Sequence, residues 1–385
     1  MAEHKMLLTG NLTDHIIYSV KLSAGSEYKM NAIQTNQRLD FLDAAKGIGI
    51  ILVILGHAFR DEMRIVSNFC EFVYQTIYFF HMPLFIVISG FTFGISYSKY
   101  INDPLRYLKK KTVSQIVPIL SYGTVIYVCF FVAYQIPVFQ EALSATGYQL
   151  YPYPKYLLLT ALWENPYAVH LWYLWVLCLV SIIAFLYFRR SSGVARSKLY
   201  FAVYSLSLYV LQIFFNLPIV LERIFQYTIY FTAGIVLVSC QKLLSTKCKA
   251  IWATGIAGWL FLLGYCALQV LRYDLGILNQ PLVFALCKLV SNMFVILSIL
   301  RLACRLTSCA PLLYCGTQSY NIYLLHQPFC CGFVGVILYN KFQLPAFPVF
   351  VICCLLSVLL PIAFTTVCKK CKPVGKLAKL LFHIT

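Results

Sequence analysis

Ten apolar stretches, each close to the length needed to cross a lipid bilayer, constrain this sequence more than any other feature. A membrane-spanning helix needs about 20 apolar residues, because each residue advances the helix by about 1.5 Å. Hydrophobic residues make up 61% of the 385 residues and charged residues 11%, a balance typical of membrane proteins. We therefore predict an all-α fold, a polytopic transmembrane bundle of about ten helices. The stretches lie roughly at 41–59, 72–95, 113–135, 168–188, 199–217, 225–241, 250–271, 281–300, 312–338 and 346–367.

Basic residues are concentrated in alternate connections between these stretches. Lys109–Lys111 and Arg189 belong to this set, whereas the other connections carry few basic residues or balance them with acidic ones. Loops rich in Lys and Arg stay on the cytoplasmic side, so the alternation places both termini in the cytoplasm. We predict a cytoplasmic N-terminal extension at 1–38, a transmembrane domain at 39–367 and a basic cytoplasmic tail at 368–385.

The formal net charge of +18 does not indicate nucleic-acid binding, because the Lys and Arg residues occur in short groups between apolar stretches. Anionic membrane lipid is their expected partner. Most of the 16 cysteines fall inside apolar stretches, where cysteine behaves as a small buried apolar residue. Cys368 and Cys371 have metal-ligand spacing, but lysines surround them and no second pair of that spacing exists. We predict a solvated tail and no metal site.

Ionisable residues of the first stretch are candidates for function, because such groups are costly in a membrane unless paired, hydrated or used. Eleven residues separate Lys46 from His57, which in a helix places both on one face about 16 Å apart. Asp43 lies one turn before Lys46 and can pair with it. His57 could act as a general base on a hydroxyl. The alternatives are a packing histidine at His57 and a lysine that extends to the cytoplasmic headgroups at Lys46.

The second stretch carries His81 near its middle, followed by Pro83 and Ser89. Proline removes a helical hydrogen bond and can open a polar gap, into which these side chains could project. Close packing between helices explains Ser89 equally well.

Two later stretches add polar and aromatic candidates. Ser319, Tyr323 and His326 are spaced by four and three residues, so they share one helical face that could meet His81 inside the bundle. His170 and Trp172 lie at the outer end of the fourth stretch, where they could form a wall facing an acceptor or an interfacial aromatic anchor. An interhelical hydrogen-bond network remains the alternative for the first three residues.

Several common catalytic motifs are absent from the sequence. It contains no glycine-rich phosphate loop, no nucleophilic serine elbow and no histidine pair at i and i+4. ATP-driven pumping and ordinary serine hydrolysis therefore lose support.

Four motifs resemble the bacterial membrane acyltransferase-3 family. Two of them, matching the family's first and second helices in order, are specific, and the other two support them by position. Together they cover about 39–367. The motifs are 42–49 continuing through 53–57, Phe80–Phe85 with Ser89-Gly90-Phe91, Leu171–Leu174, and Gly316 through Tyr323–His326.

The resemblance implies an enzyme of the bacterial inner membrane that transfers an acyl group, usually acetyl from cytoplasmic acetyl-CoA, to a sugar hydroxyl. The acceptor would be a surface polysaccharide, lipopolysaccharide or lipid-linked glycan precursor, and no permanently bound cofactor is expected. The family's catalytic histidine falls on His57. Its basic residue eleven positions earlier falls on Lys46, which keeps the charge of the usual arginine but lacks its bidentate fork. Paired arginines of the family correspond to Lys110 and Lys111, which could bind the phosphates of coenzyme A or reflect topology alone.

The hypothesis that follows assigns a role to each group. Lys46 and nearby basic residues hold acyl-CoA, and His57 removes the proton of the sugar hydroxyl or carries the acyl group itself. His81, Ser89 or Tyr323 would stabilise the oxyanion. The alternatives are a transporter of polysaccharide or lipid-linked glycan, whose route the same polar residues would line, and a structural membrane scaffold.

Overall fold

The computed structural model describes residues 39–144, 149–165, 167–192, 194, 196–244 and 249–370. The predicted extension at 1–38 and the part of the predicted tail that contains Cys371 lie outside the described residues. Within the described part, nine helices are long and apolar enough to cross a membrane, and two further helices joined by a 60° bend would make a tenth span. These residues form helices and turns and no β-strand. The predicted all-α polytopic bundle is confirmed.

The spanning helices follow the predicted stretches closely. The bent partner of the ninth helix, Phe329–Lys341, is called the bent segment below. The helices are α1 (Asp40–Ala58), α2 (Asn68–Tyr100), α3 (Pro104–Tyr134), α4 (Val169–Arg190), α5 (Ser197–Phe214), α6 (Ile219–Ser239), α7 (Trp252–Val270), α8 (Pro281–Arg305), α9 (Ala310–Leu325) and α10 (Ala346–Cys368).

The largest difference in bounds concerns α3, which begins at Pro104 instead of 113. The side chain of Asp103 accepts a hydrogen bond from the backbone N–H of Arg106 at 3.0 Å, and proline is well suited to the first helical position. Lysine is also a good helix former. The basic run Lys109–Lys111, which we expected in a connecting loop, therefore forms the end of a helical section, Pro104–Lys111.

The helices α1 and α2 lie at the centre of the bundle. They bury a larger share of their apolar length than the other spans, whereas α5, α7 and α10 bury the least. Packing of α1 against α9 and of α2 against α6 depends on glycine. A Cβ atom added at Gly316 would lie 1.8 Å from the Asp43 carbonyl oxygen, and one added at Gly90 would lie 2.0 Å from that of Phe231. The backbones of these helix pairs are thus in direct contact.

Pro83 lies inside α2 without interrupting the helix. Because proline has no N–H, the carbonyl of Phe79 loses its intrahelical donor. The side-chain amide of Asn292 in α8 donates to that carbonyl at 3.2 Å and to the Tyr230 hydroxyl at 3.1 Å. A buried amide from a neighbouring helix therefore occupies the polar gap that Pro83 creates.

The end of α9 has a similar arrangement. Residues His326–Val334 form a widened, π-type helical turn, and the bent segment leaves at 60°. Pro328 supplies no N–H to the carbonyl of Leu324. His170 at the start of α4 donates to that carbonyl through Nε2 at 3.3 Å. The break in the ninth span is thus stabilised by a histidine from another helix.

Candidate active site

Four histidines from four helical segments meet at one end of the bundle. The ring centroids of His57 and His326 are 5.1 Å apart, and those of His326 and His170 are 6.1 Å apart. Tyr78 contacts both His57 and His81, with centroid distances of 5.9 and 4.9 Å. His57 is half-buried and the other three histidines are buried. We call His57, His81, His170 and His326 the histidine cluster.

Backbone carbonyls determine which nitrogen carries the proton in three of these rings, and His170 donates to the Leu324 carbonyl through Nε2 as described above. His81 Nδ1 lies 2.8 Å from the Ile77 carbonyl oxygen, and His326 Nδ1 lies 2.8 Å from that of Tyr323. A carbonyl oxygen only accepts, so both Nδ1 atoms are donors and Nε2 is the acceptor of these two neutral rings. His326 Nε2 is buried with no hydrogen-bond partner among the described residues. The cluster therefore presents an acceptor atom that a bound hydroxyl can satisfy.

His57 is oriented by a chain of contacts that begins outside α1. Its Nδ1 atom is 3.1 Å from the Tyr78 hydroxyl. The Tyr78 ring packs on Tyr74 with centroids 4.1 Å apart, and the Arg64 guanidinium lies 3.5 Å from the Tyr74 ring centroid. Arg64 in turn donates to Glu71 at 2.7 Å. These contacts restrict the orientation of the His57 ring.

A second arginine connects the loop after α1 to the bent segment. Nε and Nη2 of Arg60 donate to the two carboxylate oxygens of Glu62 at 3.1 and 2.9 Å, and the guanidinium lies 5.4 Å from the Tyr339 ring centroid. Burial raises the pKa of Glu62, but the hydrogen bonds and charge of Arg60 lower it, and the net pKa is below the ordinary value. The carboxylate is thus ionised at neutral pH, and the pair holds the loop that follows His57.

The predicted ionisable pair at the other end of α1 is formed. Lys46 Nζ lies 3.3 Å from Asp43 Oδ1; the Asp43 side chain is 9% exposed and that of Lys46 is 33% exposed. Because α1 is continuous from Asp40 to Ala58, Lys46 and His57 share one face about 16 Å apart. One helix therefore presents a cation near its start and an imidazole near its end.

The side chains predicted to stabilise an oxyanion differ in the protons that they can offer. Tyr323 donates its hydroxyl proton to the His170 carbonyl, and the Nδ1 proton of His81 is on a carbonyl of its own helix. Ser89 Oγ lies 3.3 Å from the Tyr173 hydroxyl. Of the three predicted side chains, Ser89 is the one whose proton is not donated to a backbone carbonyl. The neighbouring Tyr173 hydroxyl is a further donor at this position.

The predicted phosphate-binding lysines contact tyrosines. Lys110 is exposed and donates to the Tyr100 hydroxyl at 3.2 Å, and Lys111 Nζ lies 5.5 Å from the Tyr107 ring centroid. Within the described residues, no hydrogen bond or salt bridge joins either lysine to the histidine cluster. The contacts of these lysines are thus with aromatic side chains of their own region, Tyr100 and Tyr107.

Sequence reasoning placed Trp172 in the site, named His170 beside it only as part of the same wall, and missed Tyr78 and Arg223. Tyr78 lies one turn before His81, and His170 immediately precedes the motif at 171–174, so helical spacing and proximity to a motif were available signals. Arg223 lies over the Trp172 ring at 4.2 Å. It was missed because the sixth stretch was predicted to begin at 225, which assigned Arg223 to a loop.

In the described part of the chain, no group of three or more His, Cys, Asp and Glu side chains is arranged to hold a metal ion.

Comparisons with known proteins identify the family. No solved structure matches the chain. A segment of 58 residues is 48% identical to nodulation protein NolL of Sinorhizobium fredii, and it covers 14% of this chain and 16% of that relative. The acyltransferase-3 family model, described as an acyltransferase domain, matches residues 39–366, which contain nine of the ten helices completely and nearly all of α10. The resemblance seen in the motifs is confirmed. This multi-pass membrane protein belongs to the acyltransferase-3 family.

Proposed function

We propose that this protein is an O-acyltransferase of the bacterial inner membrane that moves an acyl group, acetyl in the simplest case, from cytoplasmic acyl-CoA to a sugar hydroxyl. The acceptor is a surface polysaccharide, lipopolysaccharide or lipid-linked glycan precursor. The observation that supports this most directly is the position of His57, half-buried, hydrogen-bonded to Tyr78 and next to the bare Nε2 of His326. Membership of an acyltransferase family supports the reaction class.

We assign His57 the role of general base. In the tautomer that acts through Nε2, His57 carries its proton on Nδ1 and donates it to the Tyr78 oxygen. Nε2 then takes the proton of the sugar hydroxyl while the hydroxyl oxygen attacks the acyl carbon. The new carbon–oxygen bond replaces the carbon–sulfur bond, and coenzyme A leaves as a thiolate that takes up the proton. The bare Nε2 of His326 offers a second acceptor for positioning the hydroxyl.

His57 could also act as the nucleophile and carry the acyl group between donor and acceptor. The two routes share the same residues and differ in whether label from acyl-CoA becomes bound to the protein when acceptor is withheld. Acid-quenched, intact-protein mass spectrometry of wild type and His57→Gln distinguishes them.

Lys46 is assigned to the donor. Its ammonium group lies on the same face of α1 as His57 and about 16 Å away, so an extended acyl-CoA could place its phosphates at Lys46 and its thioester at His57. Asp43 orients Lys46 through the 3.3 Å ion pair. Lys110 and Lys111 add positive charge on α3, where they can attract the phosphates before binding.

The test uses the purified full chain in lipid nanodiscs, labelled acetyl-CoA, and glycolipids extracted from cells that lack this protein. We expect acetyl transfer by wild type and a loss of about 100- to 10,000-fold in kcat for His57→Gln, with acetyl-CoA binding retained. Lys46→Ala should mainly raise the KM for acetyl-CoA. Ser207→Ala is the matched control, because Ser207 is exposed on α5 and bonds to a carbonyl of its own helix.

Mass spectrometry of glycans from the same cells provides the opposing outcomes. Full acylation in the deletion strain contradicts a non-redundant transferase. Accumulation of otherwise normal glycan inside the cell, without loss of an acyl mass, contradicts transfer and supports transport.

A further inference from the structure

Arg223 is a cation that forms no salt bridge among the described residues, although the exposed carboxylate of the adjacent Glu222 attracts it. It lies in the second turn of α6, its guanidinium carbon is 4.2 Å from the Trp172 ring centroid, and it makes no salt bridge with a described carboxylate. Its Nη1 atom is buried and has no hydrogen-bond partner among the described residues. Stacking on an aromatic ring stabilises the guanidinium but leaves its N–H groups available.

Such a group is costly in a membrane helix unless something pairs with it. A buried charged donor with no partner, such as Nη1, costs more than a neutral one. A bound oxyanion removes this cost. Arginine matches carboxylate and phosphate oxygens with two parallel hydrogen bonds.

The position of Arg223 connects this cation to the candidate active site. Trp172 is followed by Tyr173, with ring centroids 6.4 Å apart, and Tyr173 contacts Tyr323 at 5.4 Å. Tyr323 contacts His326 at 6.2 Å, and His326 contacts His57. A continuous row of rings therefore leads from Arg223 to the candidate base. In this row Trp172 and Tyr323 are partly exposed and can meet the apolar C–H face of a sugar, whereas Tyr173 and His326 are buried.

We propose that Arg223 and Trp172 form an acceptor subsite for an acidic group, a carboxylate or phosphate carried by the glycan or its lipid linkage. This inference rests on the proposed acyl transfer and specifies its acceptor class. Arg223 holds the oxyanion while the sugar to be modified lies along the aromatic row toward His57. The protein then selects acidic acceptors over neutral ones.

The experiment uses the full chain in nanodiscs of phosphatidylcholine, with glycolipids from deletion cells separated by anion exchange into neutral and acidic fractions. For wild type we expect acetyl transfer chiefly to the acidic fraction. Arg223→Gln should raise the KM for that fraction by about 10- to 100-fold, as expected for loss of a hydrogen-bonded charged contact, with kcat changed by less than about twofold. Arg223→Lys should give an intermediate KM, because it keeps the charge and loses the fork.

Arg305→Gln is the matched control. Arg305 also stacks on a tryptophan, with its guanidinium carbon 4.8 Å from the Trp252 ring centroid, but it lies at the last residue of α8. We expect wild-type KM values for this variant. Chemical reduction of the carboxylates in the acidic fraction identifies the source of the oxyanion. If the difference in KM between wild type and Arg223→Gln disappears after reduction, the oxyanion is a carboxylate. If the difference remains, the oxyanion is a phosphate.

Three results would overturn the subsite. The first is an unchanged KM for Arg223→Gln, and the second is an equal loss of activity on the neutral and acidic fractions. The third is suppression of the Arg223 effect by phosphatidylglycerol in the nanodisc, which would assign Arg223 to membrane headgroups.

Direct retention of labelled acidic glycolipid by wild-type and Arg223→Gln nanodiscs separates this inference from the proposed function. Retention that depends on Arg223, in protein that transfers no acetyl group, supports the subsite and rejects the transferase. Transfer by wild type with retention independent of Arg223 does the opposite.

Discussion

Tyr78 is the side chain in direct hydrogen-bond contact with His57, and its hydroxyl determines how the imidazole is presented. When the Tyr78 hydroxyl oxygen accepts the 3.1 Å hydrogen bond from Nδ1, Nε2 of the neutral ring is free to accept a proton. The Tyr78 ring is held by Tyr74 and by contacts with His81. Tyr78 is therefore a positioning residue that acts through His57.

Replacement of Tyr78 by Phe tests this role. The ring contacts should remain, but His57 loses its hydrogen bond, so we expect kcat for acetyl transfer to fall about three- to tenfold, the value of one ordinary hydrogen bond. The KM for acetyl-CoA should stay within about twofold of wild type, because Tyr78 contacts His57, at the opposite end of α1 from Lys46. Tyr204→Phe is the control, because Tyr204 is exposed on α5 and packs on Phe201 of the same helix. Equal effects of the two variants on kcat would contradict positioning by the Tyr78 hydroxyl.

At the scale of helices, two prolines each leave a backbone carbonyl without its usual donor, and each carbonyl is bonded by a side chain from another helix. Asn292 serves the carbonyl of Phe79, and His170 serves that of Leu324. In apolar surroundings an unsatisfied carbonyl is costly, so these contacts fix the relative positions of the helices. Helix irregularity at Pro83 and Pro328 thus contributes to the arrangement of the site.

A double-mutant cycle measures the first of these contacts. Asn292→Ala leaves the Phe79 carbonyl unsatisfied and should cost about 1–3 kcal/mol in free energy of unfolding, measured by SDS titration in mixed micelles. In a Pro83→Ala background the new N–H of residue 83 serves that carbonyl, so Asn292→Ala should cost less. Tyr230→Phe controls for the second hydrogen bond of Asn292. Additive costs of the two substitutions would mean that Asn292 does not compensate for Pro83.

Contact between α1 and α9 gives a second prediction at this scale. Gly316→Ala would place a Cβ 1.8 Å from the Asp43 carbonyl oxygen, so the two helices must separate. We expect the free energy of unfolding to fall by at least the amount typical of overpacking, about 1–3 kcal/mol. Acyl transfer should fall as well, since α9 leads to His326. Gly264→Ala in α7 is the control, because a Cβ there has no neighbour within 4 Å and alanine favours helix. Equal thermal unfolding midpoints for the two variants would contradict this packing argument.

For the whole molecule, local sequence patterns predicted the position and faces of individual helices, but few of the contacts between helices. The shared face of Lys46 and His57 followed from residue spacing alone, and apolar length located the spanning helices. The approach of His326 to His57 requires α1 and α9 to pack at one register, which is set by glycine contacts between distant parts of the chain. Arg223 was missed because a boundary error of a few residues moved it from a helix into a loop.

The orientation of the bundle in the membrane remains a prediction, and it decides whether donor and acceptor can reach their assigned ends. Alternating spans put the end of α1, which carries His57, on the same side as the loop between α7 and α8, and put Lys46 on the side of the loop between α8 and α9. Arg301 and Arg305 lie at the C-terminal end of α8, next to the loop between α8 and α9, and stack on Trp252. By the charge rule this end faces the cytoplasm, where acyl-CoA is available.

Epitope tags inserted on either side of α8 test the orientation. We expect a tag between Tyr273 and Asp274 to bind antibody on intact spheroplasts, and a tag between Thr307 and Ser308 to bind only after the membrane is permeabilised. Retained glycan acylation in both tagged strains is the control for correct folding. The opposite labelling pattern would place Lys46 outside the cell, where no cytoplasmic acyl-CoA could reach it. It would therefore contradict the assignment of Lys46 to the donor while leaving the geometry of the histidine cluster unchanged.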